Sequence, residues 1–125
     1  MNIDWRHLSR EARLPLEDGR INMGFADSGR SHTVYVDETQ KGLRLWGIVA
    51  KPARRAQIES AELRAWLRNR VTELVGFKTD RHGRLIGEAW VPEAGLTADE
   101  WAFYVNTVAR VCDHFEYVLT GRDVE

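Results

Sequence analysis

The segment from Thr97 to Gly121 constrains the fold more than any other part of the chain. Trp101, Tyr104, Val105, Val108, Cys112, Phe115 and Leu119 recur at helical spacing for about six turns. Thr97, with Glu100 three residues on, forms a capping box at the start, and Gly121 provides a C-terminal stop. A helix of that length with one apolar stripe must lie on a broad apolar surface. The residues before it supply that surface mainly as strands.

Three strands are predicted in the first half. Ile21, Met23 and Phe25 alternate with Arg20, Asn22 and Gly24; the run His32 to Asp37 is rich in β-branched and aromatic residues; Leu43 to Ala50 is apolar at both alternating positions and reads as a central strand. Turn chemistry at Asp27-Ser28-Gly29-Arg30 and Gln40-Lys41-Gly42 separates them. A short amphipathic helix from Asp4 to Leu14 precedes the strands, with Trp5, Leu8 and Ala12 on one side and Pro15 at its end. A second helix is expected from about Gln57 to Arg70, striped by Leu63, Trp66 and Leu67. Leu74 to Thr79 and Leu85 to Val91 then form a hairpin through Asp80-Arg81-His82-Gly83. The expected order is α-βββ-α-ββ-α, an α+β domain spanning residues 1–125 in which helices cover an antiparallel sheet.

Composition suits one domain of this kind. A chain of 125 residues with 43% hydrophobic residues can build a core without disulfides, and a single cysteine allows none within the chain. The opening residues lack the apolar core of a signal peptide, and no stretch reaches the roughly 18 apolar residues of a membrane span. A cytoplasmic protein is expected. Its net charge is only −1, but Lys51 to Arg70 is basic and the chain from Leu85 onward is mostly acidic. The cluster Arg54, Arg55, Arg64 and Arg68 could contact phosphates, although a near-neutral domain lacks the electrostatic footprint of nucleic-acid binders.

No motif carries a recognisable chemistry. His7, His32, His82 and His114 include no i, i+4 pair, so neither a metal nor any other cofactor is expected. Cys112 belongs to the apolar stripe of the long helix, and His114 at i+2 points away from it. Ser28 lacks the flanking glycines of a nucleophile elbow, and the glycines form no phosphate-binding loop. Catalysis would require residues brought together from distant positions.

The tryptophans are more informative. Trp46 and Ile48 face opposite to Leu45 and Val49, and Trp90 and Ile86 face opposite to Leu85, Ala89 and Val91. Both faces of the sheet are therefore apolar. The first and last helices can cover one face, which leaves the second helix, a second subunit or a partner for the other.

The second half, roughly residues 60 to 120, carries a resemblance. Leu67-Arg68-Asn69-Arg70 leads into Leu74-Val75-Gly76-Phe77, then Asp80-Arg81-His82-Gly83-Arg84-Leu85, Glu88-Ala89-Trp90-Val91-Pro92 and Leu96-Thr97-Ala98-Asp99-Glu100. This order resembles the type III secretion chaperone-like superfamily and, within it, the YbjN-like proteins. The resemblance implies a domain that dimerises and binds other polypeptides without catalysis. The expected function is thus a chaperone or adaptor, with a protein client and a homodimer as partners. Client contacts are expected at Trp5, Leu8, Trp46, Ile48 and Trp90, and the dimer interface at Leu63, Trp66, Leu67 and Arg70. The alternatives are a small enzyme with a site assembled from distant residues, and nucleic-acid binding through the arginine-rich second helix.

Overall fold

The computed structural model describes residues 4–120. Its elements are α1 (Trp5–Glu11), β1 (Leu16–Glu17), β2 (Arg20–Gly24), β3 (Ser31–Thr39), β4 (Gly42–Ala50), α2 (Pro52–Gln57), α3 (Ala61–Asn69), β5 (Gly76–Thr79), β6 (Leu85–Val91) and α4 (Ala98–Thr120). The six strands form one antiparallel sheet in the order β1-β2-β3-β4-β6-β5. The expected α+β architecture is present, and β4 is central, paired with β3 on one side and β6 on the other.

Local chemistry fixes the long helix and the hairpin. Thr97 Oγ1 accepts the Glu100 amide at 3.2 Å while Glu100 Oε1 accepts the Thr97 amide at 3.0 Å, closing the capping box. At the hairpin Asp80 Oδ1 accepts the amides of His82 and Arg84, and Gly83 takes the positive φ of 80° that the turn needs. Gly121, the expected stop of α4, lies outside the described residues.

Two expectations are corrected. The chain between Ala50 and Gly76 holds two short helices instead of one. Pro52 sits in the first turn of α2, where its fixed φ and missing amide cost nothing; Ile58 is then extended and Ser60 left-handed at φ 55°, which separates α2 from α3. The expected order also lacks the short β1, which pairs Leu16 with Ile21 and Glu17 with Arg20 around a turn at Asp18 and Gly19.

α4 lies across the inner face of the sheet, on β3, β4 and β6, and joins Leu43, Leu45, Val49, Leu85, Ala89 and Val91 in the core through Trp101, Val105, Val108, Cys112 and Phe115. Its approach requires two glycines. Gly47 and Gly87 are partners in the β4–β6 register, and Cys112 Sγ sits over both. A Cβ on Gly87 would stand 2.6 Å from that sulfur.

α1 docks on α4, with Trp5 and Trp101 ring centroids 6.1 Å apart. Trp101 Nε1 donates to Ser9 Oγ at 2.8 Å, and Ser9 Oγ donates in turn to the Trp5 carbonyl at 2.8 Å. Ser9 is fully buried, so the relay operates without competition from water.

At the other end α3 lies beside β5. The Asn69 side chain accepts the Phe77 amide at 2.6 Å and donates to the Phe77 carbonyl at 2.9 Å. It thereby occupies the outward main-chain groups of Phe77, on an edge strand that would otherwise offer them to another chain. Ala65 reaches the core, and Arg68 stands over the Phe115 ring, so α3 belongs to the side of α4. The second helical region therefore does not cover the outer face of the sheet, contrary to expectation.

Candidate functional site

Three places among the described residues concentrate unusual chemistry: the outer face of the sheet, the exposed side of α3, and a cleft where β3 and β4 part.

On the outer face Tyr35 and Trp46, opposed in the β3–β4 register, stack with centroids 4.4 Å apart. Trp46 Nε1 donates to Asp37 Oδ2 at 3.1 Å, and the guanidinium groups of Arg44 and Arg84 stand over its ring. Arg44 also bridges Asp37 and Glu88, and Lys78 completes the group with a 3.0 Å contact to Glu88. Burial raises the Glu88 pKa, but hydrogen bonds from Lys78 and Arg44 outweigh it and hold the carboxyl below its usual range. Beside this ordered cluster Trp90 is 47% exposed, Ile48 is half-buried and Ile86 is buried outside the main core.

On α3, Leu63, Trp66 and Leu67 form an exposed stripe that Val71 and Leu74 extend. Trp66 is 57% exposed, and Arg70 lies over its ring at 5.3 Å. All four residues expected at a dimer contact therefore share one region of the surface.

Trp5 and Leu8 are placed differently from an open client site. Trp5 is only 1% exposed and Leu8 is buried beside it, so α1 is a staple that fastens the start of the sheet-forming chain to α4. A seven-residue helix can bury both because α4 offers it the Trp101 ring and an indole N–H that donates to Ser9 of α1. The arginines also separate. Arg55 bonds Thr79 and Glu62, Arg68 covers Phe115, Arg64 lines a groove with Leu67 and Val71, and Arg54 is exposed at the cleft.

Nothing in the sequence announces the cleft. The β3–β4 register runs from Thr39↔Gly42 to Tyr35↔Trp46, and beyond it Ser31, His32 and Thr33 stand across an opening of about 460 Å³ from Ile48, Val49, Ala50 and Lys51. His32 bridges this gap, with Nε2 2.8 Å from the Ile48 carbonyl. A carbonyl can only accept, so Nε2 carries the proton and Nδ1 is turned the other way. There it faces Asp113 Oδ1 at 3.9 Å and Glu116 Oε1 at 3.8 Å, two carboxylates one helical turn apart on α4. The three donor atoms lie within 4.8 Å of one another. Arg30 Nε donates to the other oxygen of Asp113 at 2.9 Å.

Burial lowers the His32 pKa against the Ile48 and Asp113 contacts that raise it. Glu116 is pushed up to about 7, first by burial and then by the Asp113 charge. Next to this cluster the Cys112 thiol is raised to about 12 by complete burial, which removes the thiolate a nucleophile needs. The signal available in the sequence is the i, i+3 pair Asp113 and Glu116 flanking an apolar stripe. Its partner His32 comes from the other half of the chain.

No family model and no curated protein matches the sequence. Among solved structures, a chain from "Structure of the HopA1-SchA Chaperone-Effector Complex" superposes with a TM-score of 0.55 at 18% identity, over 88% of each chain. The two chains share a fold. At that identity the likeness concerns architecture alone, an antiparallel sheet set against a long helix, and the YbjN-like resemblance gains nothing from it. Among the described residues, no helix is long and apolar enough to cross a membrane.

Proposed function

We propose that the chain is a non-catalytic chaperone or adaptor that pairs with a second copy and holds a segment of another polypeptide. The observation that carries this reading is the division of its tryptophans. Trp5 and Trp101 are buried in the core, whereas Trp66 and Trp90 stand in solvent on two separate surfaces. Exposing a large aromatic forgoes roughly 1.5 to 3 kcal/mol of burial, and tryptophan with arginine is the pairing enriched at binding hot spots. The fold, shared with a chain of a chaperone–effector complex, supports the same reading.

The two surfaces divide the work. The stripe Leu63, Trp66 and Leu67, with Arg70 over Trp66, suits a self-complementary contact between two copies. The outer sheet face offers Trp90 and Ile48 as apolar anchors beside the Tyr35–Trp46 stack, whose charged neighbours hold it in place before a client arrives. Trp5 and Leu8 take no part while α1 is docked. A single domain acting in the cytoplasm completes the proposal.

The test joins mass and capture. Light scattering of the full chain at micromolar concentration should give twice 14.4 kDa, and Trp66→Glu should return it to the monomer mass. A polypeptide that co-purifies in stoichiometric amount should rebind the purified wild type, and Trp90→Ala should weaken that binding at least tenfold with unchanged melting temperature. A monomer at every concentration would remove the pairing. Equal client binding by Trp90→Ala would remove the sheet face.

A further inference from the structure

We propose that His32 Nδ1, Asp113 Oδ1 and Glu116 Oε1 form a binding site for one divalent transition-metal ion of the zinc class, tying α4 to the open end of β3. Such a site is independent of the chaperone reading.

The geometry is that of ligands in waiting. Two donors bound to one ion at about 2.0 to 2.1 Å in a tetrahedral arrangement stand roughly 3.4 Å apart. His32 Nδ1 is 3.9 Å from the Asp113 oxygen and 3.8 Å from the Glu116 oxygen, too long for sound hydrogen bonds and within about half an ångström of that spacing. The third side, between the two carboxylate oxygens, is up to 4.8 Å, so the largest adjustment in closing the triangle falls on Asp113 and Glu116.

The surroundings prepare each ligand. His32 is only 8% exposed, and the Ile48 carbonyl fixes the tautomer that leaves a lone pair on Nδ1. An imidazole whose other nitrogen donates to a carbonyl is the usual support of a metal-bound histidine. Arg30 holds the outer oxygen of Asp113 at 2.9 Å and leaves Oδ1 for the ion. With no cation between them, the His32 lone pair faces two carboxyl groups, and burial together with the Asp113 charge already pushes Glu116 toward its protonated form. A bound ion takes the place of that proton and attracts all three donors.

Charge and donor type select the ion. Two carboxylates confront Arg30 on Asp113 and the nearby field of Arg54 on Glu116, with Lys51 on the far wall of the cleft. Those cations weaken any purely electrostatic hold, so a hard ion such as Ca²⁺ or Mg²⁺, which also wants more oxygen ligands, is disfavoured. One imidazole with two carboxylates suits Zn²⁺, and Co²⁺ can replace it as a spectroscopic probe. Glu116 lines the 460 Å³ cleft, so a fourth position can be filled by water from that side.

The test uses the full chain freed of metal by a chelator. Calorimetric titration with ZnCl2 should give one ion per chain with micromolar or tighter affinity. Co²⁺ should give the intense visible absorption of a four-coordinate site, which Zn²⁺ then bleaches. Glu116→Gln and His32→Gln should each weaken Zn²⁺ at least tenfold and lose the Co²⁺ spectrum, while His114→Gln, altered at an exposed histidine, should behave as wild type. Should His32→Gln fail to fold, Glu116→Gln decides, because it keeps the size of a half-buried side chain. No saturable binding at about 100 μM Zn²⁺, far weaker than structural zinc sites bind, overturns the proposal. So does wild-type affinity in Glu116→Gln.

Discussion

The most demanding single position is Gly87. Its missing side chain lets Cys112 and Phe77 approach the β6 backbone, since a Cβ there would come within 2.6 Å of Sγ and 2.9 Å of Phe77 Cε1. Gly87→Ala should therefore destabilise the fold by about 1 to 3 kcal/mol through overpacking. Denaturant midpoints measure this, and combining it with Cys112→Ala should recover part of the loss because both changes act on one contact. Ser9 is the corresponding polar case. Ser9→Ala leaves the buried Trp101 Nε1 without its acceptor and should cost roughly 1 to 3 kcal/mol. Glu88 supplies a pH dependence. Its folded pKa lies below the unfolded value, so its contribution is complete above pH 4.5 and disappears as pH falls through the folded pKa. The stability gap between wild type and Glu88→Gln, measured by urea unfolding, should therefore be constant near neutrality and shrink below pH 4.5.

Among the elements, β5 depends most on a neighbour. Four residues long and at the sheet edge, it is held on its outer side by the two Asn69 hydrogen bonds. Asn69→Ala should speed hydrogen exchange of the Phe77 amide and cost about 1 to 2 kcal/mol, with little effect on exchange in β4. What can be read from sequence follows the same division between local and distant causes. The α4 stripe, the Thr97–Glu100 box and the Asp80–Gly83 turn are local patterns whose geometry is written within a few residues. The two faces of β4 and β6 are legible for the same reason, because alternation alone assigns them. The break between α2 and α3 is not, since Ser60 adopts a left-handed conformation that its residue type does not announce. Nor can α1 be assigned from its length: Trp5 is buried by Trp101, and nothing near Trp5 in the chain predicts that contact. His32, Asp113 and Glu116 meet only because β3 and α4 cross, which no ligand spacing in sequence could reveal.

At the scale of the whole molecule, helices cover one face of the sheet and the other meets solvent. α4 and α1 complete the inner side, and the outer side presents a stacked Tyr35–Trp46 pair, a charged frame and an open Trp90. Substitutions on the two sides should therefore separate cleanly. Trp5→Ala should cost about 3 to 5 kcal/mol and lower the melting temperature by many degrees, whereas Trp90→Ala should stay within about 0.5 kcal/mol of wild type. Calorimetric scans of the two variants check this directly, and equal losses would mean that Trp90 is part of the folding core.

The Ser9 relay joins positions 92 residues apart, and that separation orders events during synthesis. Trp5 is made well before Trp101, the α4 ring against which it packs. Translation at about 5 to 20 residues per second leaves Trp5 without its partner for several seconds or more. Ribosome-bound chains halted before Trp101 should consequently display an unsheltered indole, and slow codons in that interval would lengthen the period in which nascent copies can stick to one another.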